Sequence, residues 1–246
     1  MSSDWAIEVA QEKYEEERAE WIRCELNDLD ADEDTDGWYE LESQYDEIYD
    51  NWSAHMEEEY EWYHSQGHSN FYMSFVQTIN EVKTILKTHI DPTVNHTVYK
   101  MAYIHAVTAM ETYLGDALKS TVLTNKNHVI NAAKNLDEFK KRKFELKDFV
   151  SDQDFVEKIV LKQLCRYLYH DVVKVMKIYK QTLDFKCSYN LKEMIKITKV
   201  RHDLVHRNGK DNDGHRVALD LNILNMSISE IESFIKYLDD NLECST

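Results

Sequence analysis

Residues 189–207 read YNLKEMIKITKVRHDLVHR, and Asn208-Gly209 follows directly. Met194, Ile197, Arg201 and Leu204 recur at three- and four-residue steps, the spacing of one helix face, so the stretch is a helix. Asn208-Gly209 is its stop, because Gly takes up the left-handed cap conformation at little cost. The segment from Arg201 to His206 therefore fills the final turn and a half. His202 and His206 are four apart and share a face. Arg201 stands on the apolar stripe, where a cation needs a reason. An ion pair with Glu111 or Asp116 of an earlier helix is one reason. Lining a cleft or subunit interface that handles negative charge is the other.

Working outward, the composition favours more helices. The chain has 246 residues, with only 5 Gly and 1 Pro, well under ordinary usage, which argues against sandwiches, barrels and collagen. Periodicity predicts helices over roughly 3–27, 38–65, 71–89 and 95–124, then a Lys-rich helical stretch over 127–147. A further helix capped by Ser151 carries Phe155, Ile159, Leu164 and Leu168, and continues or restarts through Val172, Val175, Met176 and Tyr179. A last helix covers 221–243, capped by Asn222. On the 95–124 helix, Val98, Met101, Ala102, His105, Ala109, Tyr113, Ala117 and Leu118 share a face, with Glu111 and Asp116 beside it. The plausible extended piece is Gly214–Leu219, entered through a DNDG turn. The fold class is all-α, a helical bundle over 71–246 carrying an acidic helical hairpin over 1–70.

The charge is partitioned in the same way. Of 46 acidic and 29 basic residues, the first 67 positions hold 23 acids and 3 bases (Lys13, Arg18, Arg23), leaving a mildly basic body. The five tryptophans also fall in this front. A charge run is usually a solvated face. Here it is patterned: Trp38, Leu41, Tyr45, Ile48, Tyr49, Trp52, Met56, Tyr60 and Tyr63 make one helical stripe, and Trp5, Val9, Tyr14, Trp21, Ile22 and Leu26 another. Between them Asp32, Asp34, Asp36 and Gly37 match the opening of a calcium-binding EF-hand loop, but its twelfth position is Ser43, not the bidentate Glu, with Glu42 one residue early. An acidic turn ended by Gly37 accounts for the segment better. The hairpin either enlarges a dimer interface or mimics RNA and masks a basic groove.

The start lacks a basic region followed by an apolar one, and no uncharged apolar run spans a bilayer. The four cysteines (Cys24, Cys165, Cys187, Cys244) form no CxxC pair. These features suit a cytoplasmic protein with neither membrane segment nor zinc ribbon. His64 and His68 straddle a helix end near Gly67 without a third ligand, and His215 lies beyond the turn. No cofactor or metal is expected.

RNA cleavage without a metal needs a group to take the 2′-hydroxyl proton, a group to protonate the leaving 5′-oxygen, and a fixed cation for the phosphorus oxygens. His titrates near neutrality and Arg forks onto phosphate. A helix C-terminus favours the cationic form of a side chain such as His206, suited to donating a proton. One helix offers one set; two copies across a two-fold axis fill both roles. Lys140, Lys141, Arg142 and Lys143, with Arg201 and Arg207, make a candidate basic patch.

The segment from Ile197 to Asp239, ITKVRHDLVHRNGKDNDGHRVALDLNILNMSISEIESFIKYLD, closely resembles the C-terminal half of HEPN domains. Their signature is an Arg, a polar residue, three further residues and a His on the penultimate long helix. Here these are Arg201, His202 and His206, and the run VHRNG matches a subgroup. AVTAMETYLGDAL (106–118) resembles the earlier core helix, so the resemblance covers about 71–243. It implies a helical homodimer, often a metal-independent endoribonuclease leaving cyclic-phosphate ends, in toxin–antitoxin, abortive-infection and other antiviral defence systems. Carried over by position, Arg201 and His206 are catalytic, and His202 orients the site or contacts RNA. Arg207 joins it as an orienting or RNA-binding residue, and an antitoxin or regulatory protein becomes a candidate partner. Glu111 is added from its own helix as the residue that holds Arg201. The tyrosine two residues after the His, through which one branch of the family is silenced by nucleotide transfer, has no counterpart, because that position is Asn208. The alternative is a non-catalytic helical dimer serving as a protein-binding scaffold, which the body's weak positive charge favours.

Overall fold

The computed structural model describes residues 3–140, 144 and 154–243. Among these, the helices are α1 (Ser3–Leu26), α2 (Trp38–Ser65), α3 (His68–Lys87), α4 (Asn95–Leu123), α5 (Lys126–Asn135), α6 (Phe155–Cys165), α7 (Val172–Leu183), α8 (Lys192–His206) and α9 (Leu221–Glu243). The all-α class holds. The chain divides into two compact units, Met1–Trp62 with Lys141–Lys162, and Tyr63–Lys140 with Gln163–Thr246.

In the first unit α1 and α2 form a hairpin around buried Ile22, Ala31 and Trp38, onto which Ala19, Trp21, Leu26 and Leu41 pack. Gly37, at φ +90°, ends the turn with the left-handed backbone that Gly adopts freely. Higher up, aromatic rings replace aliphatic packing. Tyr14 meets Tyr49 edge-on at 4.7 Å between centroids and Tyr45 at 5.7 Å. Arg18 bridges to Glu42 at 2.9 Å and to Asp46. Ile48, expected on the stripe, is 58% exposed, because the seam follows Tyr45 and Tyr49 and leaves Ile48 to one side. At the other end of α2, Tyr60 donates to Glu157 of α6 at 2.7 Å and Lys158 pairs with Glu57 at 2.9 Å.

The second unit is organised around α4, which packs against α3, α5, α7, α8 and α9. A helix touched from so many sides must be apolar almost all round, and Ala106, Val107, Met110, Leu114, Ala117 and Leu118 are all buried. The expected face was turned slightly wrong: Met101 is 66% exposed and His105 is also exposed, because the buried stripe near the N-terminus runs through Ala102, Tyr103 and Ala106. Against α4, α3 presents Phe71, Phe75, Ile79, Val82 and Leu86, and α9 presents Leu224, Ile228, Ile231, Phe234, Ile235 and Leu238. Each such buried side chain is worth about 1.5–3 kcal/mol. Two tyrosines enter this core with their hydroxyls satisfied, as burial requires. Tyr113 donates to Asp239 at 3.0 Å, and Tyr179 to the Leu114 carbonyl at 2.8 Å.

Three local expectations change. The Lys-rich helix over 127–147 is the shorter α5, followed by a turn at 137–140; Lys141, Arg142, Lys143 and the Ser151 cap lie outside the described residues. α9 is capped by Asp220, not Asn222: the Asp220 carboxylate accepts from the Ile223 N–H at 2.8 Å, two residues earlier than expected. The extended piece near 214–219 forms no strand among the described residues, only one antiparallel bridge between Lys210 and Arg216.

Candidate functional site

The C-terminal end of α8 is held by its own backbone. The Asp203 carbonyl accepts from the N–H groups of Arg207 at 3.2 Å and Gly209 at 3.0 Å. Asn208 and Gly209 both take positive φ, +51° and +78°, and the Gly209 carbonyl accepts from Val217 N–H at 2.9 Å. The chain after His206 is thereby folded back under the helix, and His206 stands at a fixed tip.

The Asp203 side chain reinforces this. It is 5% exposed and pairs with Arg207 Nη1 at 2.8 Å, while Arg207 also donates to Asn212. Arg207 thus spans the turn and Asp203 anchors it. The two partners are unequal, since Arg207 is 41% exposed and can turn to water, whereas Asp203 cannot. Arg207→Ala, which strands a buried carboxylate, is expected to cost about 1–3 kcal/mol, and Asp203→Asn clearly less. Thermal melts of the two variants check the order.

Met194, Ile197 and Leu204 of α8 are buried, and Arg201 on the same stripe keeps 22% of its side chain exposed. Its Nη2 lies 3.4 Å from Glu111 Oε2 on α4. That single long contact leaves the pair under-satisfied: Arg201 Nε and Glu111 Oε1 are both buried without a hydrogen-bond partner. Burial pushes the Glu111 carboxyl above its ordinary value, an effect partly opposed by Arg201 and His170.

Arg201 and His206 both line one open cleft of about 570 Å³, whose other wall is α4 from Thr108 to Lys119 and whose rim is the loop Tyr167–His170. His206 and His202 are exposed, with ring centroids 4.8 Å apart; His206 lines the cleft and His202 flanks it. Lys119 is committed, its Nζ lying 2.6 Å from the Tyr63 hydroxyl and 3.2 Å from Asp116. Arg201 is left as the cation whose donors are least used. His170 is the residue that periodicity did not single out, for it lies on a loop between helices.

The remaining candidates disperse. Asp32 uses its carboxylate to accept from Asp34 N–H at 3.1 Å, and Ser43 donates to the Tyr39 carbonyl inside α2. Among the described residues, the acidic or imidazole set close enough for a metal is instead Asp211, Asp213 and His215, with ligand atoms within 4.8 Å of one another. Asp211 there caps its own turn, accepting from the N–H groups of Asp213 and His215 at 2.9 Å. His68 is not among the residues that line this cleft; its Nδ1 is 4.0 Å from Asp239. Lys140 pairs with Asp137 at 2.6 Å. No described helix is long and apolar enough to cross a membrane.

A family profile described as RiboL-PSP-HEPN matches residues 74–243. No curated protein and no solved structure matches the chain.

Proposed function

The chain belongs to the HEPN family, whose members often cleave RNA and commonly dimerise, and from that premise we propose that it is a metal-independent endoribonuclease acting at a groove shared by two copies. The observation that carries the reading is the meeting of Arg201 and His206 in one cleft, the guanidinium with donors to spare and the imidazole exposed. The chemistry follows from those two groups. Arg201 binds the scissile phosphate and stabilises the charge that gathers on its oxygens. The 2′-oxygen attacks phosphorus after losing its proton, the bond to the 5′-oxygen breaks, and the His206 imidazolium protonates that oxygen. The products carry a 2′,3′-cyclic phosphate and a free 5′-hydroxyl. Two copies would place two such sets along one groove. Glu111 holds Arg201 in position, and His202 and Arg207 shape the approach.

An activity of this kind suits a toxin or an anti-phage effector, restrained by an antitoxin or regulatory protein until needed. The test is end-labelled RNA incubated with the full chain in EDTA: cyclic-phosphate ends support the reading, and intact RNA overturns it. A second reading, a non-catalytic scaffold dimer, is favoured by one observation. Met73, Ile85 and Met101 leave an apolar surface on α3 and α4, each more than half exposed. A salt-insensitive complex with protein, together with no RNA binding, would select it.

A further inference from the structure

The proposed reaction needs a group to take the 2′-hydroxyl proton, and the second copy's His206 would otherwise have to supply it. We propose that His170 is this proton acceptor, placed in the same cleft of the same protomer as His206 and Arg201. The inference rests on the ribonuclease reading and deepens it.

Three observations carry it. First, His170 is exposed and lines the cleft that Arg201 and His206 line. It is close enough to the Glu111–Arg201 pair to act electrostatically on the Glu111 carboxyl, so it faces the phosphate-binding end.

Second, its backbone is held on both sides. Before it, the Tyr169 ring is pressed onto α4 at Gly115, where a Cβ would come within 3.1 Å of two ring carbons. The Tyr169 hydroxyl donates to the Leu164 carbonyl at 2.9 Å. After it, Asp171 caps α7 by accepting from Lys174 N–H at 3.1 Å. A side chain at 115 would press on the Tyr169 ring, so Gly115 lets the loop lie close against α4, and His170, the next residue, lines the cleft. A group fixed in this manner loses little freedom when it engages a substrate.

Third, the surroundings leave the imidazole available. The ionisable groups that line the cleft with it are Glu111, Asp116 and Lys119 of α4 and Arg201 and His206 of α8, with Tyr167 and Tyr169 on its own loop. Asp116 and Lys119 bond to each other and to Tyr63, Glu111 is turned to Arg201, and the two tyrosine hydroxyls donate to Glu138 and to Leu164.

The step balances within the protomer. A ring nitrogen of neutral His170 takes the 2′-hydroxyl proton as the P–O2′ bond forms. The P–O5′ bond breaks, and the His206 imidazolium gives its proton to the departing 5′-oxygen. Net, one proton has passed from the RNA to the protein at His170 and one back at His206.

The experiment is single-turnover cleavage of labelled RNA in EDTA across pH by the full-length wild type, His170→Ala, His170→Gln and His206→Ala. His170→Ala is expected to lose about 10²–10⁴-fold in rate, to lose the limb of the profile in which rate rises with pH, and to be partly rescued by added imidazole. Mixing His170→Ala with His206→Ala chains is expected to restore nothing, because neither protomer then holds both groups. A wild-type rate and profile in His170→Ala, a loss with no change in profile and no rescue, or recovery on mixing would each overturn the assignment. None of these would touch the ribonuclease reading, which fails separately if His206→Ala cuts as well as wild type or the wild type does not cut at all.

Discussion

His206→Ala is expected to lower kcat for RNA cleavage by about 10²–10⁴-fold, the range that removal of a positioned proton donor costs. KM should barely change, because Arg201 and the rest of the cleft still hold the phosphate. Stability should hardly change either. The imidazole is exposed, and the lock on the helix end, the Asp203 carbonyl receiving Arg207 and Gly209, is made by backbone and does not involve the side chain at 206. That combination separates chemistry from folding: a dead enzyme with a wild-type melting temperature. His202→Ala is the matched control. Its ring lies 4.8 Å from that of His206 but flanks the cleft, so the loss should be several-fold at most. Single-turnover rates with thermal melts on the same preparations check both, and full-rate cutting by His206→Ala would exclude it as the proton donor.

Which parts of this arrangement the sequence disclosed, and which it did not, follows from the range of the forces involved. Local periodicity is a property of neighbouring residues, so Phe75, Ile79, Val82 and Leu86 announce α3 in the sequence, and all four are buried in it. The helix stop at Asn208-Gly209 was equally readable, since positive φ at both positions is a local preference. The pairing of Arg201 with Glu111 was inferable because a cation on an apolar stripe demands a partner, and α4 offered a carboxylate at the edge of its own apolar face. His170 was not inferable. Its place depends on Tyr169 meeting Gly115, a contact between distant parts of the chain that periodicity does not encode, and Leu168 beside it, expected on a helix face, is 70% exposed in the loop. The turn of α4 that leaves Met101 and His105 outside was hidden for a related reason: a helix packed on several sides has little amphipathic contrast to read.

Arg201 should be the residue whose loss is felt both in chemistry and in folding, with the folding effect dependent on pH. Arg201→Ala is expected to lower kcat/KM by about 10²–10³-fold, the cost of removing a charge-stabilising group from a transition state. Arg201→Lys should recover only part, because a point charge replaces a fork matched to phosphate. The stability effect comes from Glu111. Its carboxyl is 15% exposed and already has one unpartnered oxygen, so removing the guanidinium strands a charge at a cost of about 1–3 kcal/mol near neutral pH. The sign of the pH dependence is fixed by burial, which raises the folded-state pKa of Glu111 above its ordinary 4.5. A carboxyl raised in this way favours the folded state when protonated and loses that contribution as pH rises through its folded pKa. Deleting Arg201 takes away an interaction that pulled the pKa down, so the variant's penalty belongs to the ionised form alone. The stability gap between wild type and Arg201→Ala should therefore be widest at neutral pH and narrow on acidification through the Glu111 titration, and Arg201→Ala combined with Glu111→Gln should close most of it at pH 7. Denaturant titrations at a series of pH values give the comparison. A gap that stays constant with pH, or that Glu111→Gln fails to close, would mean that Arg201 steadies α8 through its aliphatic stem and not through this pair.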